Sequence, residues 1–168
     1  VGEPGSGRKS IIQALAKKSC LGESLSPINY KRVIQLDLAS LIAQTENSET
    51  AEDILDVIFR EVLSAGNIIL VIDEFHKFLD IAGVISPYLS LANFQVVAVT
   101  TFEGLHKNIE QNSSLLNLFD KVEVAEIFEQ DTLLLLENLS LTLERKYKIF
   151  ISYLALREII RLSGKYLP

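Results

Sequence analysis

Among its 168 residues the chain has no methionine and one cysteine, Cys20. A lone thiol excludes an internal disulfide and fits a reducing compartment, the cytoplasm or an organelle interior. Without methionine, Val1 is not expected to be the native start. The helical pattern that runs into Tyr166-Leu167-Pro168 likewise predicts further chain downstream, so no targeting signal is to be read from this stretch. Long hydrophobic runs are missing too. The longest, Asn67 to Ile72 and Leu133 to Leu136, fall far short of the roughly 20 residues a membrane helix needs, which predicts no membrane span. Dense Lys/Arg runs are absent and the net charge is −6, which argues against nucleic acid as a partner. What is present is globular: 48% hydrophobic and 23% charged residues suffice for one core or a domain with a small appendage.

Periodicity divides the chain into alternating elements. Ile11, Ile12, Leu15 and Ala16 predict a helix over Ser10 to Ser19. Lys31 to Asp37 reads as a strand ending in an acid. Ile54, Leu55, Ile58, Phe59 and Val62 share one face of a helix over Ala51 to Leu63, closed by Ser64-Ala65-Gly66. Asn67 to Ile72 is continuously apolar, as a central parallel strand buried on both faces must be. Gln95 to Val99 repeats that texture, and Val122 to Val124 does so more briefly. Strands alternating with helices predict a parallel α/β sheet whose strand ends share one ligand-binding edge. From Gln130 onward only helices are expected, over Asp131 to Lys146 and Ser152 to Leu162. The predicted organisation is an α/β nucleotide-binding part, residues 1–128, and part of a helical lid, residues 129–168.

Two motifs fall on that edge. Gly2-Glu3-Pro4-Gly5-Ser6-Gly7-Arg8-Lys9-Ser10 nearly fits a phosphate-binding loop: Gly, four residues, then Gly, Lys and Ser/Thr. In such a loop backbone N–H groups cradle phosphate, the lysine reaches the outer phosphates and the hydroxyl ligates magnesium. Two registers fit. In one, Arg8 stands at the lysine position and Lys9 at the hydroxyl position; in the other, the loop bulges by one residue and Lys9-Ser10 serves as the pair. The second motif, Asp73-Glu74, closes the most apolar strand 65 residues after Arg8. It matches the Walker B pattern, in which the Asp holds magnesium and the Glu polarises the attacking water. Asp73 and Ser10 are thus candidate metal ligands, and Glu74 the candidate catalytic carboxylate.

Further residues carry a family likeness: Leu36-Asp37-Leu38 with Ser40-Leu41, Gly66 to Leu70, Phe75-His76 after the acid pair, Thr100-Thr101 with Glu103, Asp131-Thr132, and Lys165 to Pro168. With Gly2-Glu3-Pro4-Gly5 they resemble the first AAA+ ATPase domain of the Clp/heat-shock unfoldases over nearly the whole chain. The resemblance implies a P-loop AAA+ three-layer sandwich with five parallel strands, the first lying mostly before Val1, and a partial helical lid. It further implies ATP and Mg2+ as cofactors, Glu3 through Ser10 around the phosphates, and Thr101 as the γ-phosphate sensor. Protein clients or active Clp-family subunits are the implied partners, and a hexamer is allowed for the full-length form. His76 is expected to be structural.

Departures from the family pattern are as informative. Where the family carries paired arginines before a Phe, this chain has Leu115-Leu116-Asn117-Leu118-Phe119. The pore segment, aromatic in the family, is here Ala43-Gln44-Thr45-Glu46-Asn47-Ser48-Glu49. An arginine finger contributes about 10³ to 10⁵ in rate, and Arg is not equivalent to Lys at a phosphate. These changes predict ATP binding with weakened hydrolysis in a regulatory or assembly role. Two other readings stay open: an active unfoldase working through the bulged register, and a non-catalytic interaction scaffold.

Overall fold

Residues Ile68–Ile72 form the central strand β2, and four of its five side chains are buried. This is the outcome expected of an uninterrupted apolar run, because successive residues point to opposite faces and both faces are covered. A computed structural model, describing residues 1–44, 48–79 and 82–166, places β2 between two parallel neighbours. On one side lies β1 (Arg32–Leu36), with Arg32 opposite Ile68 and Leu36 opposite Ile72. On the other lies β3 (Gln95–Ala98), with Ile69 opposite Gln95 and Ile72 opposite Ala98.

The connections are helical. Helix α1 (Arg8–Leu21) precedes β1 and stops at Gly22, whose φ of 72° suits a residue without Cβ. Between β1 and β2 run α2 (Leu38–Gln44) and α3 (Ser48–Ala65). Asp37 starts α2: its carboxylate accepts from the Ser40 amide at 3.0 Å and the Ser40 hydroxyl at 2.6 Å. Those two bonds hold its pKa below the ordinary aspartate range. The amphipathic α3 buries Leu55, Phe59 and Val62, residues of the face anticipated from the sequence, and Gly66 follows it at φ 68°. Beyond β2 a short 3-10 turn (Phe75–Lys77) leads towards α4 (Ala82–Leu89). Phe59 meets the rings of Tyr88 and Phe94 edge-on, each at 5.5 Å, a favoured aromatic arrangement that ties α3 and α4 to the start of β3. After β3 come α5 (Phe102–Gly104), a π-helical turn (Leu105–Ile109) and α6 (Ser113–Leu116).

The five-stranded expectation is corrected: among the described residues the sheet has three strands. Val122–Val124, expected as a strand, is extended chain without a ladder. The reason is visible in the hydrogen bonds. Val1 N donates to Val122 O and Val124 N to Val1 O, both at 2.7 Å, while Gly2 N reaches Thr100 O at 3.3 Å. Two residues thus make strand-like bonds on both sides, but this pairing is too short to count as regular sheet.

The chain divides into two compact units, Val1–Ala125 and Glu126–Pro168. The second consists of α7 (Glu129–Tyr147) and α8 (Tyr153–Tyr166), both longer than their periodicity suggested. Lys148 turns the chain at φ 55°, and Glu144 Oε1 accepts from the Ile151 amide at 2.8 Å. Of the leucines at 133–136, Leu134 and Leu135 are exposed, because four successive residues encircle a helix and one packing partner covers only part of it. Within the described residues no helix is long and apolar enough to cross a membrane. Part of the pore segment, residues 45–47, lies outside the described residues, as do Leu167 and Pro168 of the closing segment.

Candidate phosphate-binding site

Glu3-Pro4-Gly5-Ser6 makes a tight turn in which the Ser6 amide donates to Glu3 O at 3.1 Å. Proline at the second position and a glycine at φ 91° at the third are the residues a type II turn demands. Gly7, at φ 93°, then reverses the chain into α1, and its carbonyl accepts the first helical bond, from Ile11 N at 3.0 Å. Gly7 at this end of the helix has no side-chain cap bond among the described residues. The amides of its first turn therefore lack intrahelical partners, and the dipole favours an anion there. Open space faces the positions where Cβ atoms would stand on Gly5 and Gly7. Gly2 is different: a Cβ there would meet Val124 O at 2.6 Å and Ser6 Oγ at 2.7 Å, so the loop passes close over the chain beneath it. Ser6 Oγ is buried with no hydrogen-bond partner among the described residues.

Helix α1 begins at Arg8, immediately after Gly7. Lys9, its second residue, extends to the end of β2, where its ammonium lies 2.7 Å from Asp73 Oδ2. That hydrogen bond, with the carboxylate charge, raises the Lys9 pKa above the ordinary lysine value, so the ammonium is charged throughout the neutral range. Ser10 follows roughly 100° further around the helix and is exposed. Arg8 is half-buried and borders an apolar cavity of about 310 Å³ lined along β3 by Val96 to Val99.

At the strand end Glu74 takes a left-handed backbone, φ 51° and ψ 36°. Its amide donates to Asp73 Oδ1 at 3.0 Å, and its carboxylate pairs with Lys77 Nζ at 2.7 Å. Lys77 is a participant that motif reading passed over; its place three residues after an acid was the available signal. His76 bonds Thr100 Oγ1 through Nδ1 at 2.9 Å, accepts from Asn108 Nδ2 at its carbonyl at 3.2 Å, and packs its ring on Gly104. These contacts give His76 a structural job. Thr101 Oγ1 accepts from the Gly104 amide at 3.0 Å, capping α5, and keeps its own proton available to donate. Within the arginine-less stretch Leu115 is buried and Phe119 packs on Phe75 with ring centres 5.6 Å apart, while Asn117 and Leu118 are exposed.

The structure therefore brings the loop and Asp73 together through Lys9, with Glu74 beside them. Of the expected metal pair, Asp73 carries the ion pair with Lys9 and Ser10 is exposed on α1. Asp73 is met by an ammonium where a hydroxyl would serve the ion, and Mg2+ requires oxygen donors in near-octahedral array. The residues present do not fit that ion.

No protein-family model matches the chain. Sequence relatives are found, however. A protein of Staphylococcus aureus strain USA300 named ATP-dependent Clp protease ATP-binding subunit ClpC is 31% identical over 175 residues, covering 99% of this chain and 21% of that protein. The protein of the same name from Staphylococcus epidermidis matches with the same identity and coverage. The chain spans about a fifth of the length of these relatives.

Proposed function

Since this chain is a distant relative within the AAA+/Clp superfamily, we propose that it is the nucleotide-binding portion of a Clp-type chaperone with weakened ATP hydrolysis. In this reading it serves a regulatory or assembly role beside an active subunit. Residues 1–128 are the α/β nucleotide-binding part and 129–168 belong to a helical lid. The carrying observation is the Lys9–Asp73 pair at 2.7 Å: the loop reaches the acidic strand end, yet meets it with a cation. Glu3 through Ser10 embrace the phosphates, with Arg8 supplying a guanidinium whose fork suits phosphate oxygens.

Several features support weak turnover. The carboxylate of Glu74, the candidate base, is engaged by Lys77 and must be released before it can polarise water. No arginine stands in the stretch 115–119, and a missing finger removes on the order of 10³ or more in rate. The residues present are suited to bind and orient a polyphosphate, while the groups that would stabilise charge developing on the transferred phosphoryl are reduced. A second reading, an active unfoldase subunit, is favoured by Glu74 itself: a non-glycine residue in a strained backbone at a strand end is a pattern found at working sites.

Phosphate release by the full-length protein, alone and with an active Clp-family subunit added, separates the two. Labelling by a photoreactive ATP analogue with turnover well below ~1 s⁻¹ is the expected result. Turnover at that rate or faster, lost on Glu74→Gln substitution, would establish the second reading instead. Absence of labelling would leave only a scaffold.

A further inference from the structure

Asp73 and Glu74 place two negative charges at the end of β2, and two ammonium groups of this chain meet them. Lys9 Nζ lies 2.7 Å from Asp73 Oδ2, and Lys77 Nζ lies 2.7 Å from Glu74 Oε2. The lysines come from separate elements, α1 and the turn after β2, so the acid pair is engaged from two directions. Charge for charge, two ammoniums supply what one divalent cation would. A metal ion seeking Asp73 would have to displace Lys9, and would then find no hydroxyl at residue 9 to complete its shell. Among the described residues, no three His, Cys, Asp or Glu side chains gather to offer an alternative cage.

Lys9 is nevertheless free to face a ligand. Its side chain is 73% exposed while that of Asp73 is 20% exposed, so the carboxylate is the fixed partner and the ammonium the accessible one. An ammonium carries three donors, enough to keep Asp73 and still bond a phosphate oxygen. It also stands in the first turn of α1, beside the unpaired amides that an anion would approach.

We propose that this loop binds metal-free nucleoside triphosphate, with Lys9 as a resident counter-cation in the place of magnesium. The proposal rests on the nucleotide-binding reading above and specifies the ligand: the polyphosphate itself, without its divalent ion. Lys77 completes the arrangement by neutralising Glu74, so the phosphates do not face an uncompensated carboxylate.

The test is photolabelling of the full-length protein with azido-ATP, in EDTA and in excess Mg2+, with the label mapped by mass spectrometry to peptides within residues 1–125. Mapping excludes nucleotide held elsewhere in the protein. Half-saturating concentrations in the two buffers should agree within about fivefold. A larger gain with Mg2+ would overturn the proposal while leaving nucleotide binding intact. Lack of label in either buffer would instead refute the binding reading, and the proposal with it. Two variants sharpen the result: one alters the exposed Lys9 in the first turn of α1, the other Asp73, mostly covered at the end of β2. Lys9→Thr should acquire a preference for Mg2+ exceeding about fivefold; labelling of this variant that stays indifferent to Mg2+ overturns the idea. Asp73→Asn should label more tightly than the parent in EDTA, because one anion is removed from beside the phosphates and Lys9 is released to them. Weaker labelling of folded Asp73→Asn in EDTA would count against it.

Discussion

Replacing Glu74 by glycine should stabilise the first unit relative to replacing it by alanine, although both variants lose the same carboxylate. The backbone at this position is left-handed, φ 51° and ψ 36°. There a Cβ crowds the following carbonyl oxygen at a cost of about 1–2 kcal/mol. Alanine keeps that Cβ and glycine does not. Both substitutions remove the pair with Lys77, so that contribution cancels in the comparison. Glycine gives back roughly 0.5–1 kcal/mol through the greater freedom of its unfolded chain. The expected advantage of Glu74→Gly over Glu74→Ala is therefore centred on ~0.8 kcal/mol, within about 0–1.5 kcal/mol. Hydrogen exchange in peptides spanning β2, measured in the full-length protein across a urea series, reports the opening free energy of this unit. If Glu74→Ala proves equal to or more stable than Glu74→Gly, the backbone at residue 74 is not strained and the case for a poised acid there loses its footing.

Two further stability predictions follow from contacts outside the loop. Asp37→Ala should lower stability at neutral pH by removing the two bonds from Ser40 that start α2. Because folding depresses the pKa of Asp37, its contribution is present above the ordinary aspartate range of about 4 and fades as the pH falls through the lower folded value. Parent and variant urea midpoints should therefore converge in acid, and a gap that persists at the lowest pH would refute this assignment. Ser19→Val should cost about 1–3 kcal/mol: the wholly buried Ser19 hydroxyl donates to Ile28 O at 2.5 Å or Lys31 O at 2.9 Å and accepts from the Lys31 amide at 3.1 Å. Because the Lys31 amide also reaches Ile28 O at 3.3 Å, the readout is global, and an unchanged urea midpoint in that variant would contradict the cost.

Where the sequence was legible, one physical signal dominated. The apolar run ending at Ile72 could only be a strand covered on both faces, and Leu55, Phe59 and Val62 could only share the inner face of α3; both hold in the structure. The helix α4 was missed because Pro87 interrupts its pattern, although it forms over Ala82–Leu89 with the proline inside it. The small elements between Phe102 and Leu116 escaped for a different reason: three to five residues are too few to show a period, and they are held by the Thr101 and Asn112 caps and by burial of Leu105, Ile109 and Leu115. At the site, the motif brought Arg8, Lys9 and Ser10 into view but left two registers open. Sequence spacing carries no information about which of three consecutive helical residues faces a strand 64 positions away; that is decided by how α1 lies against the sheet, where Lys9 reaches Asp73.

The clasp at Ser19 also governs where motion can occur. At its far end α1 is fastened to the residues before β1, and the intervening loop is stitched internally by the Ser24 amide on Asn29 Oδ1 at 2.8 Å. The helix is thereby a post set firmly at its base. A ligand bound as proposed at the opposite tip would meet a helix whose far end is tied by the Ser19 bonds. Accommodation falls to the peptide planes around Gly5 and Gly7, whose surroundings are open and whose torsions are the least costly in the segment to turn.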